Sequence, residues 1–373
     1  RPVRLVSLLF IPAVAYQALA IVAGIRHFLR QIRHPSAKPT AEAPAVSVLK
    51  PLRGLDPNTY PAFVSQVRQD YPEFQILFGV GSESDPATVA VRRLQAEFPQ
   101  AKIRLVVGAP DTPNGKAGAL IELARHAEHP ILVVNDSDIK VGPSYLAEVV
   151  APLSDPRVGI VTCPYRARPH TLPAFWEALG IATDFMPSTL VAQLLGVREF
   201  GFGSTLAFRA RDLNAIGGFA AVSDYLADDY QLARRISGLG KRAELSTYTV
   251  ETALGEDSWA GIWRHQLRWA RTIRASKGMG YAGLPITHAG IWAILALAFR
   301  LPEAAVLLWS LRTASALVSA GGVLRQGVAA GFCWCAAAWD LYAFSVWVTS
   351  YTGREVRWRD KTLRIDAEGR IQS

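Results

Sequence analysis

The chain has little charge and almost no sulfur. Of its 373 residues 19% are charged, three are cysteines and two are methionines. Half of the residues are hydrophobic, and the mean hydropathy is positive at +0.16. An ordinary soluble domain is less oily than this, and the length exceeds one ordinary domain. The cysteines build no disulfide framework: Cys163 stands alone, and Cys333 and Cys335 lie inside an apolar segment. Buried reduced thiols are the expected state, consistent with a cytoplasmic domain. No repeat or low-complexity segment stands out. A phosphate-binding P-loop is also missing, because "NGKAGAL" (114–120) lacks the leading glycine spacing.

What is abundant is apolar sequence at the two ends. Residues 3–25 are long enough to cross a bilayer core, which takes roughly 20 residues. Ala18-Leu19-Ala20 would suit signal-peptide cleavage. The run nevertheless continues past it into Arg26, His27, Arg30, Arg33 and His34, so an uncleaved anchor over 1–29 is expected. By the positive-inside tendency that cluster places the succeeding region in the cytoplasm. A linker over 30–44, with Pro35, Pro39 and Pro44, leads into a region of soluble composition at 45–257. Three further apolar stretches, 284–301, 304–323 (interrupted by Arg312) and 328–351, make up membrane segments over 284–351. A basic tail over 352–373 comes last, with Arg354, Arg357, Arg359, Lys361 and Arg364. A cytoplasmic tail requires an even number of C-terminal crossings, so one stretch, the first and shortest, is expected to lie in the interface or re-enter. The net charge of +9 sits largely in these juxtamembrane clusters and in one helix. Anionic lipid and orientation explain it without nucleic acid.

In the middle region short β-branched runs alternate with helical patterns. "VSVLK" (46–50), "QILFGV" (75–80), "IRLVV" (103–107), "ILVVN" (131–135) and "VGIVT" (158–162) read as strands. Helical spacing fills the gaps between the first four, which predicts an α/β fold: a mostly parallel sheet covered by helices on both faces. Ligands bind such sheets beyond the carboxyl ends of the strands. There the fourth run ends in "NDSD", bringing Asp136 and Asp138 two residues apart. Adjacent carboxylates repel, and an oxygen-preferring divalent cation, Mg²⁺ or Mn²⁺, relieves the repulsion. Asp85 comes after the second run in the same way, although an Asp before Pro86 would also start a helix. Lys116, near a helix N-terminus, suits an anion such as diphosphate. "GFGST" (201–205) is a glycine-rich turn open to close backbone approach. In "ADDY", the helix dipole accounts for one of Asp228 and Asp229 at the start of a helix and leaves the other for other work.

Residues 258–283 begin with "SWAGIWRHQLRWARTIRASKG". Arg264, Arg268 and Arg271 share one helix face, and Trp259 and Trp263 are i, i+4. This is the pattern of an amphipathic helix at the membrane surface.

From "VSVLKPLRGLDP" to the basic tail, the set resembles membrane glycosyltransferases of the GT-A fold, in particular ceramide glucosyltransferases and their bacterial hopanoid-glycosylating relatives. The family pattern of three separated aspartates falls on Asp85, Asp136 and Asp229, and its (Q/R)xxRW motif falls on His265–Trp269. His265 stands where the family has Gln or Arg. Asp138 completes a DxD where animal ceramide glucosyltransferases carry Gly. The resemblance implies a UDP-sugar donor and a lipid hydroxyl acceptor, with Asp85, Lys116, Asp136, Arg268 and Trp269 at the donor. Asp136 and Asp138 would hold the metal, and Asp229 would be the general base of an inverting displacement. Trp259, Trp263 and His265 would face the acceptor and the membrane surface. The substrates so implied are UDP-glucose and ceramide, or alternatively UDP-N-acetylglucosamine and a hopanoid lipid. A processive polysaccharide synthase would need more membrane helices, and a non-catalytic membrane lipid-binding protein would not need all three aspartates. The implied location is a bacterial inner membrane, with the catalytic domain on the cytoplasmic face.

Overall fold

The computed structural model describes residues 7–33, 39–40, 42–56, 59–254, 258–358 and 361–372. The start of the first apolar run, His34 and Pro35 of the basic cluster and linker, and Arg359 of the tail lie outside the described residues. The chain divides into two compact units. One consists of His34–Tyr165 and Arg198–Gly255, and the other of Arg1–Arg33, Arg166–Val197 and Glu256–Gln372.

The first of these is the α/β unit. Its strands are β1 (Val46–Pro51), β2 (Phe74–Val80), β3 (Ile103–Val107), β4 (Ile131–Val134) and β5 (Val158–Thr162). After β6 (Tyr165–Arg168), which stands outside the main sheet, come β7 (Leu206–Arg209), β8 (Arg242–Leu245) and β9 (Val250–Ala253). The seven-stranded sheet runs in the order β3-β2-β1-β4-β7-β5-β8. β1 pairs in parallel with both β2 and β4, β2 with β3, and β5 with β8. Only β7 runs antiparallel to its two neighbours. All four residues of β4 are buried, as a wholly apolar strand between two helical layers requires. Helices Thr59–Val67, Ala87–Glu97 and Gly115–Arg125 connect β1 to β4 in turn. Leu49, Leu77, Leu120, Leu123, Leu132 and Phe208 belong to one buried core.

Strand order reverses between β1 and β4: the chain moves outward from β1 to β3, then returns to pair with β1 on its other side. The crevice beyond the carboxyl ends of those two strands is where such a sheet binds ligands.

The other unit is helical. Among the described residues two helices, Leu8–Arg33 and Pro302–Val323, are long and apolar enough to cross a membrane. The other C-terminal apolar stretches make shorter pieces. Ala289–Ala298 has ten residues, which at 1.5 Å per residue reaches about half of a hydrocarbon core. The 328–351 stretch is divided into Gly327–Gly331, a turn at Cys333–Cys335 and Ala336–Ser350. Arg312, which interrupts the 304–323 run, is buried against Asp340, with Nη2 to Oδ1 at 2.6 Å, and also donates to the Thr183 carbonyl. The pair removes two isolated charges from an apolar interior. Arg166–Val197 lies within the span 45–257 in sequence but belongs to this helical unit. Leu179, Ile181, Ala182 and Met186 are buried there, and the Tyr16 hydroxyl meets the Ser188 hydroxyl at 2.9 Å.

Candidate active site

The site grows from the end of β4. Asn135 is fully buried and the next peptide turns: Asp136 N–H donates to the Gly203 carbonyl at 3.0 Å. Beneath this turn lies Lys50, the fifth residue of β1. Its ammonium donates to Asn135 Oδ1 at 2.6 Å and to the Asp136 carbonyl at 2.8 Å. Burial pulls the Lys50 pKa down to about 7, against the opposing pull of Asp138 and Asp136. A lysine at the end of a strand is readable in "VSVLK", but composition gives no sign that it turns inward. This was the residue sequence reasoning missed.

Asp136 Oδ1 accepts from Lys116 Nζ at 2.6 Å, and Asp228 Oδ2 lies 3.9 Å from the same ammonium. Lys116 stands in the first turn of Gly115–Arg125, which is capped by the buried Asn114: its Oδ1 accepts from the Lys116 and Ala117 N–H groups. The Asn114 amide also donates to the Tyr225 carbonyl and to Asp228 Oδ1, at 2.8 and 3.2 Å. Burial alone would lower the Lys116 pKa, but Asp136, Asp228 and Asp229 together hold it above the ordinary lysine value. Asp228 is therefore not spent on capping its own helix. Its side chain faces Asn114 and Lys116, because Ala227 occupies the cap position.

Gly203 sits between the second and third aspartates. Its N–H donates to Asp229 Oδ2 at 2.9 Å, and its carbonyl accepts from Asp136. A Cβ here would stand 2.6 Å from Asp136 Oδ2 and 3.2 Å from Lys116 Nζ, so any other residue would displace the Asp136 carboxylate or the turn. Burial, then the Asp228 charge, push the Asp229 carboxyl up to about 6. Asp138 is tied to β9: its Oδ2 accepts from Thr252 Oγ1 at 2.6 Å and from the Ala253 N–H at 3.0 Å. Burial and the Asp136 charge raise its pKa. Asp85 ties two loops together: both its oxygens accept from the Gly54 N–H at 3.0 Å, and Oδ1 accepts from Ala87 N–H at 2.9 Å. The helix-start role and the tie to the loop after β1 both use it.

The remaining predicted residues lie in the helical unit, on the helix Trp259–Ser276, whose cap is Ser258. Trp259 is 52% exposed, whereas Trp263 is half-buried with its ring 5.6 Å from that of Tyr342. The two tryptophans therefore differ in exposure and packing. Arg264 is exposed and Arg268 is half-buried. Arg271 and Arg274 are turned to the tail, donating to the carbonyls of Glu355 and Gly353. That tail is a small sheet of β10 (Glu355–Trp358), β11 (Lys361–Ile365) and β12 (Ile371–Gln372). The His265 ring packs at a tilt of 59° against Trp269 with centroids 4.7 Å apart, and the Trp269 ring lies 6.2 Å from that of Phe185.

Comparison with known proteins decides the family. The sequence profile of glycosyl transferase family 21 matches residues 5–371. The chain belongs to this family. It is 29% identical over 218 residues to ceramide glucosyltransferase 1 of Caenorhabditis elegans, covering 58% of this chain and 47% of that protein. It is 27% identical over 180 residues to a ceramide glucosyltransferase of Gibberella zeae, covering 44% and 34%. The chain thus spans about half the length or less of these relatives. Among solved structures it is similar to the mannosyltransferase PcManGT of Pyrobaculum calidifontis in complex with GDP-Man and Mn²⁺, at 22% identity and a TM-score of 0.52, covering 92% of this chain and 98% of that one. That likeness concerns the fold, which is of the GT-A type.

Proposed function

We infer that this family 21 chain is an inverting glycosyltransferase that moves glucose from UDP-glucose to the primary hydroxyl of ceramide. The observation that carries this reading is the cluster of Lys116, Asp136, Asp228 and Asp229 around Gly203, at the β1/β4 switch point. Ceramide glucosyltransferases among the relatives support the substrates.

Breaking a sugar–diphosphate bond develops negative charge on the leaving oxygens. Lys116, held charged by its carboxylate neighbours, is suited to that charge once a diphosphate competes for it. Asp136 and Asp138 would hold Mg²⁺ or Mn²⁺, which supplies positive charge to the leaving diphosphate. The donor set fits a hard ion of this kind. Among the described residues no three His, Cys, Asp or Glu side chains form a complete metal cage. Such an ion takes its remaining ligands from phosphate and water, so two carboxylates suffice. Asp229, with its raised pKa, is matched to removing the acceptor's proton near neutral pH. In-line attack from that side converts an α-linked donor into a β-glycoside. Arg268 and Trp269 complete the donor site in this reading.

In the same reading 1–29 anchors the chain, 30–44 links it to a cytoplasmic catalytic domain, and 258–283 lies at the membrane surface ahead of the 284–351 segments and the 352–373 tail. The apolar outer faces of the two long helices, with Leu8, Ile11, Val22, Ile32 and Val306 each more than half exposed, support a lipid environment.

The test is a donor and acceptor screen on purified chain in lipid nanodiscs. UDP-glucose and UDP-N-acetylglucosamine are offered with ceramide and with a hopanoid, and products are read by mass spectrometry. Glucosylceramide as the main product is expected; transfer to the hopanoid alone would overturn the substrate assignment.

A further inference from the structure

Glu177 is a carboxylate with no solvent exposure, in the helix Leu172–Gly180 of the helical unit. Its Oε1 lies 2.6 Å from His265 Nδ1 and 2.7 Å from Gln266 Nε2. A carboxylate oxygen only accepts, so Nδ1 is a ring nitrogen that carries a proton. Nε2 is then the nitrogen turned away from the carboxylate, on a side chain 22% exposed, and it makes no hydrogen bond among the described residues. A carboxylate behind one ring nitrogen, with the other left open, is the arrangement by which a histidine is fixed in tautomer and aim. Glu177 Oε2 is buried with no partner, as is the hydroxyl of Tyr342, whose ring packs 6.0 Å from Trp176 and 5.6 Å from Trp263. Nε2 sits on a part-exposed ring without a partner among the described residues, and the buried Glu177 Oε2 has none there either, so the pair has hydrogen-bonding capacity left for a ligand.

We propose that His265, aimed by Glu177, receives a hydroxyl of the lipid acceptor through Nε2. The pair favours a neutral lipid head rich in hydroxyl and amide groups over an anionic phosphodiester head, whose charge the buried carboxylate repels. The His265 ring packs at a tilt against Trp269, so the same contact touches a ring of the family's RW motif. The proposal rests on the glycosyltransferase reading above and adds a specificity-determining pair to it.

The test uses the full chain in nanodiscs, with UDP-glucose and ceramide, as wild type, His265→Ala and Glu177→Gln. Loss of one hydrogen bond in a desolvated site corresponds to roughly tenfold in affinity. Both variants should raise the KM for ceramide about tenfold or more while the KM for UDP-glucose stays within about twofold. An unchanged ceramide KM in His265→Ala overturns the proposal. So does an equal rise in both KM values in both variants, which would make the pair a packing feature. A photoreactive ceramide, crosslinked without UDP-glucose, gives a readout independent of turnover. Label on the Trp259–Ser276 helix in wild type and its loss in His265→Ala is expected, and label unaffected by the variant overturns the proposal. Crosslinking with the expected pattern in a chain that transfers no sugar would instead overturn the activity reading and leave the lipid site standing.

Discussion

Asp136 and Asp229 are held by opposite ends of one residue: the carbonyl of Gly203 takes the Asp136 N–H, and its N–H goes to the Asp229 carboxylate. Two carboxylates more than ninety positions apart in sequence are thereby fixed against a single glycine. Gly203→Ala puts a methyl 2.6 Å from Asp136 Oδ2, so the carboxylate or the turn must move. A displacement of about 1 Å can cost roughly 100-fold in rate. A fall of that order in kcat/KM is expected, with the folded content by circular dichroism unchanged.

Asp229→Asn keeps size and removes the proton acceptor, so kcat should fall by about 10²–10⁴-fold. In wild type the acidic limb of the kcat/KM profile should fall near pH 6, the value to which burial raises this carboxyl. The stability consequence has a definite sign. The folded pKa exceeds the ordinary aspartate value of 3.8, so the folded chain holds a proton that the unfolded chain has lost between 3.8 and about 6. Stability from this group is present at the acid end and is lost as pH rises through that window. Chemical denaturation at pH 4.5 and 7 should show the difference in wild type and a smaller one in Asp229→Asn. Asp228→Asn should act through Lys116 and Asn114, raising the KM for donor more than it lowers kcat.

Lys50→Met replaces a buried ammonium with an apolar chain of similar length. The fold should lose about 1–3 kcal/mol, because the buried Asn135 Oδ1 and the Asp136 carbonyl are left without this donor. The turn carrying Asp136 loses the two hydrogen bonds that Lys50 gives to it. Outer-shell changes of this kind weaken metal affinity by roughly 10–100-fold. Titration with Mn²⁺ followed by electron paramagnetic resonance measures it directly, and an unchanged affinity would remove Lys50 from any positioning role.

EDTA should abolish transfer, and Mg²⁺ or Mn²⁺ should restore it. Asp138→Ala should weaken metal and UDP binding together. Because Asp138 is raised by burial and by Asp136, metal affinity should also drop as pH falls. Full activity in chelator would contradict the assignment of both carboxylates.

The two tryptophans of the surface helix should separate. Trp259→Ser, at an exposed position, should raise the KM for lipid acceptor and leave the melting temperature alone. Trp263→Ser removes a ring packed against Tyr342 and should destabilise by about 1–3 kcal/mol. Equal thermal shifts in the two variants would refute this division.

How much of this was readable in the sequence depends on where each signal resides. β1 to β5 are apolar, β-branched runs, and such runs are visible locally. β7 and β8 are as short as β4 but contain no β-branched residue, and only partners distant in sequence make them strands. Asp136 and Asp138 stood out because carboxylates after a wholly buried strand conflict with their surroundings. Lys50 and Glu177 did not, since a single charge beside an apolar run reads as a solvated one until its partners at Asn135 and His265 are known. The same holds for Asp228, whose true neighbours are Asn114 and Lys116. The departure of Arg166–Val197 from the α/β unit is likewise a matter of which surface covers its apolar side, and spacing alone does not name that surface.

The pairing of Arg312 with Asp340 has a bearing on how the chain is made. Under the membrane placement proposed here, either side chain alone at the centre of a helix in lipid costs about 2.5–3.5 kcal/mol. During synthesis Arg312 leaves the ribosome well before Asp340, and until then nothing neutralises it. The helix Pro302–Val323 should therefore linger at the insertion machinery and enter the lipid only together with Ala336–Ser350, as a hairpin. A ribosome-bound chain long enough to carry residue 312 out of the exit tunnel but not Asp340 should keep residue 312 crosslinkable to that machinery, and extension until Asp340 emerges should release it.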